Sequence, residues 1–153
     1  MYLASDDSAK LFTNKFYDFT VETNREYLFG NCREWSFALT ELFLEDTTEP
    51  NEPPNEPFKV TLVKTPFIVH CDLAVDSYIR NCSRQVLRLV PKTASEGSSL
   101  LQPQYISVSK SRTNRIRIYL TDIDLEEFDP LITDPKNKLI LRCTLHFINN
   151  KHV

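Results

Sequence analysis

Apolar residues recur at every second position along several stretches of this chain, the period of a strand with one buried face. In residues 138–149 (KLILRCTLHFIN) Leu139, Leu141, Cys143, Leu145 and Phe147 share one face, which a helical period of 3.6 would scatter. Residues 115–121 set Ile116, Ile118 and Leu120 against Arg115, Arg117, Tyr119 and Thr121. Residues 34–45 place Trp35, Phe37, Leu39 and Phe43 on one side, with Ser36, Ala38, Thr40, Leu42 and Leu44 on the other. That stretch reads as a strand, although its second half holds helix formers. Weaker strands are predicted at 16–22, 58–63, 67–72, 84–90 and 105–109. Pro66 gives the 67–72 strand an edge or strand-start position. In 84–90, Leu87 and Leu89 face away from Val86, Arg88 and Val90. About eight short strands without a long amphipathic helix predict an all-β fold, a single jelly-roll-like antiparallel β-sandwich.

Length agrees with that count: 153 residues suit one domain, 1–153, with a core large enough to fold without disulfide or metal. Two isolated glycines, Gly30 and Gly97, exclude the glycine-rich phosphate loops. Lys plus Arg number 18 and Asp plus Glu 21, a net charge of −3, which excludes a generically basic nucleic-acid coat. No apolar run reaches the roughly 20 residues of a membrane helix, and the first residues, MYLASDDSAK, lack a secretory leader. An intracellular chain is expected, with Cys32, Cys71, Cys82 and Cys143 reduced and mostly buried. They contain no C-x-x-C pair, so no zinc site is expected.

Three connections interrupt the strands. Residues 45–57 (EDTTEPNEPPNEP) hold four prolines and the acids Glu45, Asp46, Glu49, Glu52 and Glu56, and read as an exposed loop that cannot pair in a sheet. Residues 92–103 are serine-rich, and 122–137 are acidic with two Asp-Pro steps. None of the chemistry that these segments suggest assembles into a site. His70 and Cys71 are neighbours on one strand and point to opposite faces, so the expectation is a core cysteine beside a surface histidine. Cys143 and His146 are separated in the same way. The acids of 122–129 resemble half of a calcium loop but lack its glycine and terminal glutamate. No catalytic set, cofactor or metal is expected, and no enzyme.

Basic residues are more organised. Lys110, Arg112, Arg115 and Arg117 crowd one hairpin, and Arg80, Arg84, Arg88 and Lys92 recur at four-residue steps that keep one face of a strand. Such a strip can meet phosphate or the acidic loop of a neighbouring copy, while its plainer reading is a solvated sheet face.

The order of short motifs along the chain carries a resemblance. Met1–Ser8 (MYLASDDS) leads to Phe19-Thr20-Val21 and then to Glu34-Trp35-Ser36-Phe37-Ala38-Leu39-Thr40-Glu41. Beyond the acidic loop come Val69-His70-Cys71-Asp72, Gln85-Val86-Leu87-Arg88-Leu89-Val90-Pro91 and Arg117-Ile118-Tyr119-Leu120-Thr121-Asp122. The chain closes with Arg142-Cys143-Thr144-Leu145-His146-Phe147. In that order and spacing the chain resembles the penton-like minor capsid proteins of Maverick/Polinton and adintovirus-type elements. The resemblance implies a non-enzymatic structural protein of the virion, a single jelly roll assembling in fives at icosahedral vertices. Its implied partners are further copies of itself, as a homopentamer, and a major capsid protein, with no specific nucleic acid and no membrane span. Complementary subunit surfaces are then expected between the acids Glu45, Asp46, Glu49, Glu52 and Glu56 and the basic Lys110, Arg112, Arg115 and Arg117. The alternative is a jelly-roll attachment or ligand-binding module, a domesticated host copy of such an element.

Overall fold

A computed structural model of the chain describes residues 1–46, 66–90, 102–126 and 139–152. Among the described residues ten strands form: β1 (Tyr2–Ala4), β2 (Asp18–Leu28), β3 (Trp35–Asp46), β4 (Phe67–Cys71), β5 (Ser77–Ile79), β6 (Cys82–Arg84), β7 (Val86–Val90), β8 (Ile106–Ser107), β9 (Arg112–Asp122) and β10 (Leu139–Asn149). They build two four-stranded antiparallel sheets, ordered β1-β10-β3-β8 and β2-β9-β4-β7, and a separate hairpin β5-β6. The sheets pack as a sandwich. Strand pairing is nested: β1 pairs with β10, β2 with β9, β3 with β8 and β4 with β7, in alternate sheets. Two further ladders, β10 with β3 and β4 with β9, complete each sheet.

Alternation decides which side chains meet between the sheets. Phe19 and Val21 of β2, Ile116, Ile118 and Leu120 of β9, and Val69 and Cys71 of β4 line one wall. Phe37 and Leu39 of β3 and Leu141, Cys143 and Leu145 of β10 line the other. At one end the rings of Phe29, Phe37 and Phe147 stack, and the half-buried Trp35 meets Phe29 edge-on. Burial of these large apolar groups is the main favourable term of the fold.

Where pattern reading departs from the structure, the cause is an inserted residue or an unseen partner. In β3 the register passes from Glu41↔Thr144 to Leu39↔Leu145, so Thr40 is a bulge. The bulge reverses the alternation beyond it. Leu42 falls opposite Cys143 and packs on the core, whereas Phe43, expected on the Trp35 side, falls opposite Arg142. A second bulge at Leu87 in β7 buries Leu87 and Val90 and leaves Leu89 52% exposed, against the expected shared face of Leu87 and Leu89. Glu45 and Asp46, expected in the loop, continue β3 opposite Ile140 and Leu139. β4 lies inside its sheet between β9 and β7, with Pro66 just before its first residue; of the two positions that Pro66 allowed, strand start holds. Neither β1 nor the β5-β6 hairpin was expected. The hairpin turns through Arg80 (φ 47°) and Asn81 (φ 60°), two left-handed residues without glycine. The strand expected at 58–63 lies outside the described residues.

One corner ties the sheets together. After β4 the chain leaves its sheet and runs beside β8 of the other, with Ala74 bridged to Val108 and the Ser109 N–H donating to the Leu73 carbonyl at 2.8 Å. Asp72 holds this exit. Its N–H donates to the Arg117 carbonyl (3.2 Å), and its Oδ1 accepts from the Arg117 N–H (3.0 Å). The two hydrogens of the Gln85 amide reach the Asp72 and Ala74 carbonyls at 3.0 and 3.1 Å. Side chains thus take over where the ladder stops.

The free edge of β2 is also closed. Asn14 reproduces one rung of a ladder, accepting from the Thr20 N–H at 2.9 Å and donating to its carbonyl at 3.0 Å, and Ser8 Oγ accepts from the Glu22 N–H at 3.0 Å. Such capping removes a template for strand addition.

Asp72→Ala is expected to lower the free energy of unfolding by about 2 kcal/mol, because it removes the charged acceptor of the Arg117 N–H and the partner of Lys110, and Gln85→Leu by about 1–2 kcal/mol. Urea unfolding of the two variants checks both values.

Candidate functional site

Lys110, Arg112, Arg115 and Arg117 lie on β9 and the segment before it, not on a hairpin, since β8 and β9 belong to different sheets, and each of the four meets an acid of its own chain. Arg117 and Arg115 point outward from β9, away from the core positions Ile116 and Ile118. Arg117 grips Asp18 in a two-pronged contact, Nε to Oδ1 and Nη2 to Oδ2, both 2.9 Å. Arg115 Nε donates to Glu22 Oε2 at 3.3 Å, Arg112 Nε lies 3.5 Å from Glu26 Oε1, and Lys110 Nζ lies 3.2 Å from Asp72 Oδ2. The grip of Asp18 makes the Arg117 guanidinium hold its proton more firmly than usual. Exposed pairs of this kind contribute at most about 1 kcal/mol each, the bidentate one most. The acids were missed in the sequence, yet Asp18, Glu22 and Glu26 recur at the same four-residue step that drew attention to the arginines.

Of the expected acidic surface, Glu45 and Asp46 belong to the end of β3, and Glu49, Glu52 and Glu56 lie outside the described residues. The strip of Arg80, Arg84 and Arg88 does not assemble. Arg80 sits in the β5-β6 turn and pairs with Asp124 at 3.1 Å. Arg88 falls opposite the core residue Val69 and donates to the Gln102 carbonyl at 2.8 Å. Lys92 lies outside the described residues.

His70 overturns the expectation of a surface histidine. It is fully buried on the outer side of β4, where its ring stacks on Tyr119 with centroids 4.4 Å apart and planes 2° from parallel. Nε2 lies 2.8 Å from Thr121 Oγ1, and that hydroxyl donates to the Asp122 carbonyl at 3.0 Å. With its hydrogen committed, Thr121 accepts from Nε2–H, which fixes the neutral ring with a bare Nδ1. Nδ1 is buried and has no hydrogen-bond partner among the described residues. Burial, then the nearby Arg84 and Arg117, lowers the His70 pKa to about 4. Cys71 faces the core on the opposite side, and burial pushes its thiol far above the ordinary range. Cys143 is pushed up to about 12 for the same reason. Neither thiol is poised as a nucleophile. On the other sheet, the exposed His146 shares a 2.7 Å contact with the Tyr105 hydroxyl, away from Cys143. Among the described residues no group of His, Cys, Asp and Glu has the arrangement of a metal site.

An open cleft of about 360 Å³ lies over this outer face, lined by Asp18, Arg84, Arg117, Tyr119, Thr121 and Leu125. One wall is built by a tight turn in which Asp122 Oδ1 accepts from the N–H groups of Asp124 (2.8 Å) and Glu126 (3.0 Å). That turn sets Leu125 in a left-handed conformation, φ 66°. Asp122 and Asp124, the first two acids of the stretch that resembles half a calcium loop, are therefore committed to this turn and to Arg80. Comparison with protein-family models, curated proteins and solved structures finds no match for this chain.

The unfolded chain takes up a proton at His70 near pH 6.5, while the folded chain resists until about pH 4. Stability present above pH 6.5 is therefore lost as pH falls through this window, by about 3 kcal/mol in all. His70→Leu is expected to remove this part of the pH dependence, read from urea unfolding at pH 7 and pH 4.5.

Proposed function

We propose that the sandwich is a single jelly roll and that the chain serves as a structural capsid subunit, penton-like, at icosahedral vertices of a virion. The observation that carries this reading is the strand order. With the β5-β6 hairpin set aside, the other eight strands among the described residues pair first with eighth, second with seventh, third with sixth and fourth with fifth, in alternate sheets. A long hairpin wrapped in this way is what two Greek keys combine to give in the jelly rolls of capsid and lectin domains. Fold alone does not give function. The capsid role rests on the order of sequence motifs from Met1 to Phe147.

Assembly in such a ring uses different patches on each side of one contact, repeated around an axis. The capped edge of β2 argues that copies meet through faces and loops and not by strand addition. Lys110, Arg112, Arg115 and Arg117 remain the proposed basic side of the contact. Each must exchange an acid of its own chain for one of a neighbour. Arg112 is the readiest, since its side chain is 75% exposed and its contact with Glu26 is the longest of the four. Such an interface weakens with salt. The second reading, a binding module, is favoured by the open cleft beside Arg84.

Light scattering after size exclusion, at low and moderate salt, is expected to give a species of about five times the 17.8 kDa monomer. Its population should fall as salt rises. A protein that stays at the monomer mass at every concentration, alone and mixed with a major capsid protein, contradicts assembly.

A further inference from the structure

We propose that the cleft over β9 is a binding site for a carboxylate on a short aliphatic stem, with Arg84 as its anchor. The argument starts from charge. Three charged side chains line the cleft, and Asp18 and Arg117 cancel each other through their two-pronged contact. Arg84 is left over: among the described residues it has no acidic partner and donates only to the Ser83 carbonyl, Nη1 to O at 3.1 Å. Its Nε and Nη2 hydrogens are uncommitted, and those two parallel donors match the two oxygens of a carboxylate.

The rest of the lining agrees in kind. The Tyr119 hydroxyl has no hydrogen-bond partner among the described residues and stands ready as a donor. Thr121 has already committed its hydrogen to Asp122, and the buried His70 behind it is neutral, so neither changes the charge of the site near neutral pH. A net charge of one positive unit matches a carboxylate. It is too small for a phosphate monoester, which carries about −1.5 to −2 at neutral pH and would sit near the Asp18 carboxylate besides. Leu125 supplies an apolar wall against which a short methylene stem packs. The carboxylate can belong to a free small acid or to an acidic side chain of a protein segment.

Two probes separate these sources: glutarate, and a blocked diglutamyl peptide, each titrated into the isotope-labelled protein at constant ionic strength and followed by amide resonances. Saturable shifts at Arg84, Tyr119 and Leu125 are expected. Arg84→Gln, at an exposed position, should weaken binding by about tenfold or more and Tyr119→Phe by about threefold. Saturation by glutarate assigns the site to free acids, and saturation by the peptide alone assigns it to a protein segment. Absence of saturable shifts with both probes overturns the proposal. So does binding unchanged in Arg84→Gln, or tighter binding of inorganic phosphate.

Discussion

A sandwich of two sheets needs a place where the chain crosses from one to the other without leaving buried amide groups unpaired. One such excursion begins at Asp72, where the chain leaves β4, runs beside β8 of the other sheet and later returns to its own sheet as β7. Leu73 and Ala74, the next two residues, are completely buried, so water cannot satisfy their backbone. The Asp72 carboxylate extends the β4-β9 ladder by one rung, and Gln85 covers two carbonyls that no strand reaches. Lys110 closes the remaining oxygen. The corner also sets the geometry of the outer face. It holds the Arg117 backbone from the β4 side, and Arg117 carries the contact with Asp18 and lies 4.5 Å from the centre of the Tyr119 ring.

That outer face differs from an ordinary solvated sheet. β4 is buried on both sides, with Val69 and Cys71 in the core and Ile68 and His70 covered on the other side. A histidine placed there tolerates its burial by staying neutral, and two guanidinium groups reinforce that state. Around it the charges are arranged so that Asp18 and Arg117 neutralise each other while Arg84 is left, among the described residues, with no acid. A face built in this way combines a folded-state constraint with one cation open to a ligand.

How far the sequence announced this can be judged element by element. β9 and β10 are legible because their alternation runs without interruption through Ile116, Ile118 and Leu120 and through Leu141, Cys143 and Leu145. β3 is legible as a strand but not in its facing beyond Thr40, since a bulge is visible only in the register with β10. The turn at Arg80 and Asn81 lacks the glycine that usually marks a tight hairpin, so β5 and β6 carry no signal. His70 looks like the polar side of a half-buried strand; nothing local reveals that its strand is covered on both faces. Of the site, the arginines of β9 were apparent. Their acids on β2 were not, because which strand neighbours β9 is a long-range property of the nested pairing.

Nested pairing is the claim on which both the jelly-roll reading and the cleft depend. Its most direct test is the set of cross-strand backbone nuclear Overhauser contacts in the labelled protein. The account predicts contacts for Leu3 with Cys143, Val21 with Ile116, Phe37 with Ile106 and Ile68 with Leu89, one in each of the four nested ladders. Contacts that instead join consecutive strands into simple hairpins, β2 with β3 or β9 with β10, would contradict it.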